Sequence, residues 1–160
     1  MVRLVAACRE RGLTLATAES CTGGLIATIL TETPGSSDVF ERGYVTYANQ
    51  AKIEMLGVPE AMLAAHGAVS AEVARAMAEG ALRRARTDIA VSVTGIAGPG
   101  GATETKPVGL VFVGAARRDG PAAAERHLFT GGRTAIRQQA VAAALAAAAR
   151  MVGDGDGDGC

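Results

Sequence analysis

At 160 residues, with 49% hydrophobic and 20% charged residues, the chain is suited to one globular domain with a sizeable core and not to disorder. Sixteen basic and 16 acidic residues give a formal net charge of +0, which argues against a broad nucleic-acid surface. No apolar run approaches the ~18 residues of a membrane span, and three Arg interrupt the first turns, so neither span nor secretory signal is expected and the cytoplasm is the expected compartment.

Three Cys, at 8, 21 and 160, show no metal spacing, so neither a disulfide framework nor a metal site is expected. The two His, His66 and His127, are far apart and are expected to be structural or superficial. Fourteen of the 16 basic residues are Arg; the only lysines are Lys52 and Lys106. Lysine can be deprotonated by burial, whereas arginine effectively cannot, so these two positions stand out.

In chain order, apolar spacing predicts a helix over Val2–Arg11, closed by Gly12. Leu13–Ala18 is a short strand. Thr22–Thr33 is a helix with Leu25, Ile26, Ile29 and Leu30 on one stripe, stopped by Pro34-Gly35-Ser36-Ser37. Arg42–Ala48 has the β-branched and aromatic content of a strand; Tyr44 and Tyr47 on it face opposite sides. Asn49–Leu56 is a short helix with Asn49 as its cap. Pro59–Ala65 forms a further helical turn, and Ser70 caps an amphipathic helix over Ala71–Arg86. Asp88–Thr94 is a strand leading into a Gly-rich loop. Val108–Ala116 and Ala122–Thr130 are strands joined as a hairpin through Arg117-Arg118-Asp119-Gly120.

Gly131–Met151 is the last helix; its alanine run suits close packing against another helix or a second copy, so a homodimer is the expected assembly. The pattern predicts an α/β fold: a three-layer α/β/α sandwich with a mixed, mostly parallel sheet, in one domain over 1–152. Residues 153–160 are expected to be a disordered Gly-Asp tail. Asp154, Asp156 and Asp158 mimic the start of a calcium loop that lacks its closing Glu.

Four constellations can carry chemistry. Ser20 ends a strand and precedes a Gly-Gly turn. It is either a nucleophile, with the N–H groups of Cys21, Thr22 and Gly23 as an oxyanion seat, or an ordinary helix-capping serine. Cys21 is a rival nucleophile, because a helix N-terminus lowers a thiol pKa; Glu19 either orients a neighbour or is a solvated charge. Lys52 with Tyr47 offers a base and a relaying hydroxyl, or else a surface lysine. Thr94-Gly95-Ile96-Ala97-Gly98, opening the Gly-rich loop at the carboxyl end of a strand, lies where open α/β sheets bind ligands. Arg133, at the start of the last helix, is a seat for phosphate or carboxylate, or a solvated first turn.

Together these pieces resemble the CinA C-terminal domain family. The resemblance rests on A-E-S-C-T-G-G at 18–24, P-G-S-S at 34–37, Y-A-N-Q-A-K at 47–52, H-G-A-V-S at 66–70, V-T-G-I-A-G-P-G-G at 93–101, K-P-V-G at 106–109 and F-T-G-G-R-x-x-I-R at 129–137. Gly132 stands where that pattern has Asp. The family's enzymatic members are nicotinamide-nucleotide amidohydrolases. The resemblance therefore implies a Ser–Lys amidase that converts nicotinamide mononucleotide to nicotinate mononucleotide and ammonia, with no cofactor or metal. It implies Ser20 as nucleophile, Lys52 as base and Tyr47 as assisting hydroxyl. It places Thr94 to Ala97 along the substrate and Arg133 on its phosphate. The alternative is a non-catalytic nucleotide-binding or assembly module, because the family includes domains attached to larger proteins.

Overall fold

Alternating apolar positions on the central strands divide the core in two. Leu15, Val91, Val93, Val111 and Val113 join one buried cluster; Ala16, Ala18 and Ala90 join another. The computed structural model describes residues 2–153; Cys160, the Gly-Asp tail and the calcium-loop pattern lie outside the described residues. The strands are β1 (Leu15–Glu19), β2 (Phe40–Val45), β3 (Ile89–Gly95), β4 (Leu110–Arg117) and β5 (Ala123–Leu128). The helices are α1 (Val2–Glu10), α2 (Leu25–Thr31), α3 (Asn49–Leu56), α4 (Glu60–His66), α5 (Ala71–Ala85) and α6 (Arg133–Gly153). One cluster packs α1, α2 and α6 on the sheet; the other packs α3, α4 and α5 on the opposite face. The three-layer α/β/α expectation is what the chain forms. Among the described residues, no helix is long and apolar enough to cross a membrane.

The sheet order is β2-β1-β3-β4-β5. β1 pairs parallel with both β2 and β3, whereas β3–β4 and β4–β5 are antiparallel. Four strands thus point one way and β4 is reversed, so the sheet is mixed but its ladders divide evenly. A parallel pairing of β4 on β3 would need a crossover helix; residues 96–109 form none, so the chain turns back at the end where β3 stops. After β1 the chain steps to β2 on one side, and after β2 it returns to β3 on the other. The carboxyl ends of β1 and β3 therefore form the switch point where open α/β sheets leave a crevice.

Several boundaries differ from the sequence expectation. α2 begins at Leu25, not Thr22, because Gly23 and Gly24 adopt φ of 60° and 98°, which cannot continue a right-handed helix. Ser20 is accordingly not a helix cap. β2 ends at Val45, leaving Thr46 and Tyr47 beyond the strand. The cap of α3 is Ala48, in an extended conformation, and Asn49 is the first helical residue. Four alanines of α6, Ala140, Ala144, Ala147 and Ala148, are buried against the sheet and α1, while Ala142, Ala146 and Ala149 lie on its exposed side. On the other face, Gly80 lets α5 approach α3 so closely that a Cβ there would lie 2.2 Å from the Leu56 carbonyl oxygen.

Candidate active site

Ser20 continues the β1 ladder by one bond, its N–H donating to the Val93 carbonyl at 2.9 Å. Strand alternation gives it the face of Ala16 and Ala18, toward α3 and α5, while Glu19 takes the opposite face, toward α2. Lys52, one turn into α3, is 1% exposed and reaches back to this point. Its Nζ lies 3.1 Å from Ser20 Oγ, 2.9 Å from the Thr46 carbonyl oxygen and 3.3 Å from that of Tyr47. Burial pushes the amine below its ordinary value of 10.5. In the neutral form two N–H bonds satisfy the two carbonyls and the lone pair faces the serine hydroxyl. Residues 32 apart in sequence are thereby brought within hydrogen-bond distance.

The turn after Ser20 is held from the face of the sheet that α2 and α6 cover. Glu19, 1% exposed, accepts the Ala27 N–H of α2 at 3.0 Å. Burial raises its carboxyl pKa while backbone N–H groups of Ala27, Gly24 and Ile26 oppose the rise. The α2 N-terminus is therefore occupied by a carboxylate of the chain itself, and the reading of Glu19 as a solvated charge does not hold. Glu19's own carbonyl accepts the Thr46 N–H at 2.8 Å, which places the Thr46 carbonyl for Lys52. From the α6 side, Arg137 Nε donates to the Cys21 carbonyl at 3.1 Å and its Nη2 to the Thr22 carbonyl at 2.8 Å. The Gly23 N–H is spent on the Ser20 carbonyl at 3.0 Å, so it is not available as an oxyanion donor. The N–H groups of Cys21 and Thr22 have no backbone acceptor among the described residues.

Cys21 itself is buried in the core, 6% exposed, and burial pushes its thiol up to about 11 against the lowering pull of Arg137, Arg133 and Lys52. The expected depression of this thiol at a helix N-terminus is thus reversed. The helix begins four residues later and its N-terminus belongs to Glu19.

Ser20, Cys21, Tyr47 and Lys52 line one cavity with Thr94, Gly95, Ile96, Ala97, Gly98 and Arg133. Its volume of about 250 Å³ lies just under the range of drug-sized ligand sites, about 300–1,000 Å³, and suits a small group. Thr94 is 1% exposed and donates its hydroxyl to the Ala68 carbonyl at 2.8 Å, tying the β3 end to the segment before α5. Arg133 spans the mouth: Nη1 donates to the Gly98 carbonyl at 2.8 Å and Nη2 lies 3.1 Å from Tyr47 Oη. Tyr47 is 61% exposed, and it is its carbonyl, not its hydroxyl, that contacts Lys52. Thr22 and Gly23 are not among its lining residues. Asn49, Ala68 and Val69 also line it; sequence reasoning gave Asn49 a capping role and the other two none.

The histidines sit elsewhere. His66 lies 3.8 Å from Glu72, and His127 stacks on Phe129 with ring centroids 5.1 Å apart. Lys106, the second lysine, donates to the His66 carbonyl at 2.6 Å. The described residues contain no group of three or more His, Cys, Asp or Glu placed to hold a metal ion.

Several proteins share this arrangement of elements. The chain is 54% identical over 139 residues to the protein named nicotinamide-nucleotide amidohydrolase PncC of Escherichia coli K12, covering 87% of this chain and 84% of that protein. It is 54% identical over 136 residues to a putative competence-damage inducible protein of Caldicellulosiruptor bescii, and spans 33% of that longer relative. Among solved structures, a CinA superfamily protein of Klebsiella pneumoniae 700603 superposes with a TM-score of 0.91 at 37% identity, covering 96% of this chain and 95% of that one. The competence/damage inducible protein CihA of Agrobacterium tumefaciens superposes with a TM-score of 0.87 at 47% identity, covering 94% and 90%. The CinA C-terminal domain model matches residues 1–152, and the chain belongs to that family.

Proposed function

We propose that this chain is a nicotinamide-nucleotide amidohydrolase that converts nicotinamide mononucleotide to nicotinate mononucleotide and ammonia, with Ser20 and Lys52 as its catalytic pair. The observation that carries the reading is the 3.1 Å contact between Lys52 Nζ and Ser20 Oγ at the rim of the cavity. The substrate class comes from the likeness to the PncC proteins.

Ser20 Oγ attacks the carboxamide carbon while Lys52 takes the hydroxyl proton. The carbonyl π electrons move to oxygen, where the N–H groups of Cys21 and Thr22 receive the developing charge. Lys52 returns the proton to the amide nitrogen, the C–N bond breaks and ammonia leaves. Water then loses a proton to Lys52 and attacks the acyl-serine ester, releasing the carboxylate and restoring the hydroxyl. Desolvation lowers the pKa of Lys52 and so favours the neutral amine this cycle needs. Arg133, with N–H donors beyond those used on Gly98 and Tyr47, takes the phosphate, and Tyr47 steadies that guanidinium.

The test is ammonia release from nicotinamide mononucleotide. Ser20→Ala and Lys52→Ala should each lower kcat by about a thousandfold or more. Activity retained in Ser20→Ala refutes the assignment. Cys21→Ala should retain turnover, which separates this mechanism from a thiol-based one. A second reading, a nucleotide-binding module without catalysis, draws on the relatives in which the matched region is a third of a larger protein. Wild-type protein that binds the mononucleotide but releases no ammonia would favour it.

A further inference from the structure

Arg137 is a half-buried cation with no carboxylate partner among the described residues; it donates to the two carbonyls of the turn. Those contacts reach across more than a hundred residues, from the second turn of α6 to the loop after β1. One guanidinium therefore grips two successive peptide units. In a trans peptide the N–H points opposite to the C=O. With the Cys21 carbonyl drawn to Arg137, the N–H of Thr22 is turned away from α6. With the Thr22 carbonyl drawn there too, the N–H of Gly23 is likewise turned away from α6, and it is found on the Ser20 carbonyl at 3.0 Å. Gly23 permits this geometry: φ is 60°, and a Cβ at that position would sit 3.7 Å from the Arg137 guanidinium.

We propose that Arg137 is a positioning residue for the reaction: its fork on the Cys21 and Thr22 carbonyls fixes the turn so that the Thr22 N–H, turned away from α6 and without a backbone acceptor, stands ready for a developing oxyanion beside Ser20. The proposal rests on the reading of Ser20 as nucleophile. A rigid planar fork performs this task, because an ammonium is a point charge on a flexible stem and cannot hold two carbonyls in fixed relation. The guanidinium also contributes positive field at the turn, as seen in its lowering effect on the Cys21 thiol. Loss of one preorganised oxyanion donor typically costs about 10²–10³ in kcat; loosening this donor should cost about ten- to a hundredfold.

Arg137→Ala and Arg137→Lys, measured beside Ser20→Ala, test this through kcat and KM for ammonia release from nicotinamide mononucleotide. Both Arg137 variants should lose kcat with KM within about twofold. Guanidinium at sub-denaturing concentration should restore Arg137→Ala and leave Arg137→Lys unimproved. If Arg137→Ala does not fold, Arg137→Lys alone decides: wild-type kcat overturns the proposal. A loss confined to KM, or no rescue of a folded Arg137→Ala, also overturns it. Covalent labelling of Ser20 by a fluorophosphonate, whose phosphoryl oxygen occupies the same seat, reads the donor without the natural substrate and should slow in parallel. An inactive Ser20→Ala beside fully active Arg137 variants refutes the positioning role alone; an active Ser20→Ala refutes the underlying reading. Wild-type protein that neither releases ammonia nor labels removes both.

Discussion

Gly80→Ala sets two physical effects against each other. Gly80 lies within α5, where alanine is favoured over glycine by about 0.8–1.0 kcal/mol on helix propensity alone. Packing opposes the change: the new methyl carbon would lie 2.2 Å from the Leu56 carbonyl oxygen and 3.0 Å from the Leu56 Cβ. Restoring ordinary contact requires α3 and α5 to part by roughly 1 Å. Overpacking of this kind costs about 1–3 kcal/mol and more when backbone must move. Packing should prevail by about 1–2 kcal/mol, or about 2–8 °C in Tm for a domain of this size. The same movement carries Lys52, one turn before Leu56 on α3, away from Ser20, and a misplacement of ~1 Å is worth about ten- to a hundredfold in rate. Calorimetry and ammonia-release kinetics on the purified variant read both effects. A raised Tm with unchanged kcat would refute the reasoning, showing that α3 is not held where Lys52 needs it by close approach to this glycine.

The pH dependence provides two further checks. In the proposed mechanism Lys52 is a base only when neutral, and burial depresses its pKa, so kcat/KM should rise with pH along a limb centred below 10.5; a limb at or above that value contradicts the desolvated amine. Glu19 behaves oppositely with respect to stability. Its folded pKa is raised above 4.5, so the folded state holds the proton more tightly than the unfolded chain. Its stabilising contribution is present below that value and is lost as pH rises through the raised one. Urea unfolding of Glu19→Gln should therefore gain on the wild type as pH increases across this window, and parallel curves would refute it.

The layers of the fold were legible because period-2 and helical spacing report burial directly. Leu15 and Ala16 go to opposite faces as alternation requires, and α5 runs from its Ser70 cap as read. The start of α2 was misread because Leu25–Leu30 has helical spacing whether or not two left-handed glycines precede it. Ser20 and Lys52 could be named as chemical candidates, but their approach depends on β2 lying beside β1, which neither local stretch encodes. For Glu19 the sequence leaves an orienting role and a solvated strand end equally open; its burial depends on the odd-numbered face of β1 being covered by α2. Arg137 was passed over because its partners lie more than a hundred residues away, and the nearer signal, an Arg repeated at i and i+4 in α6, reads equally well as a solvated helix start.

The position of β2 at the margin of the sheet affects how the protein fails under heat. Among the described strands β2 is bonded to β1 alone, and most of its residues are exposed. The carbonyls that anchor Lys52 follow directly after it. Segments with few buried contacts open as separate cooperative units well below the global free energy of unfolding. Detachment of β2 and α3 strands the amine while β1, β3 and α6 keep Ser20 and its turn intact. Turnover is thus the most sensitive reporter of sub-global opening, and thermal inactivation should precede melting of the core, with amide hydrogens of β2 exchanging before those of β3.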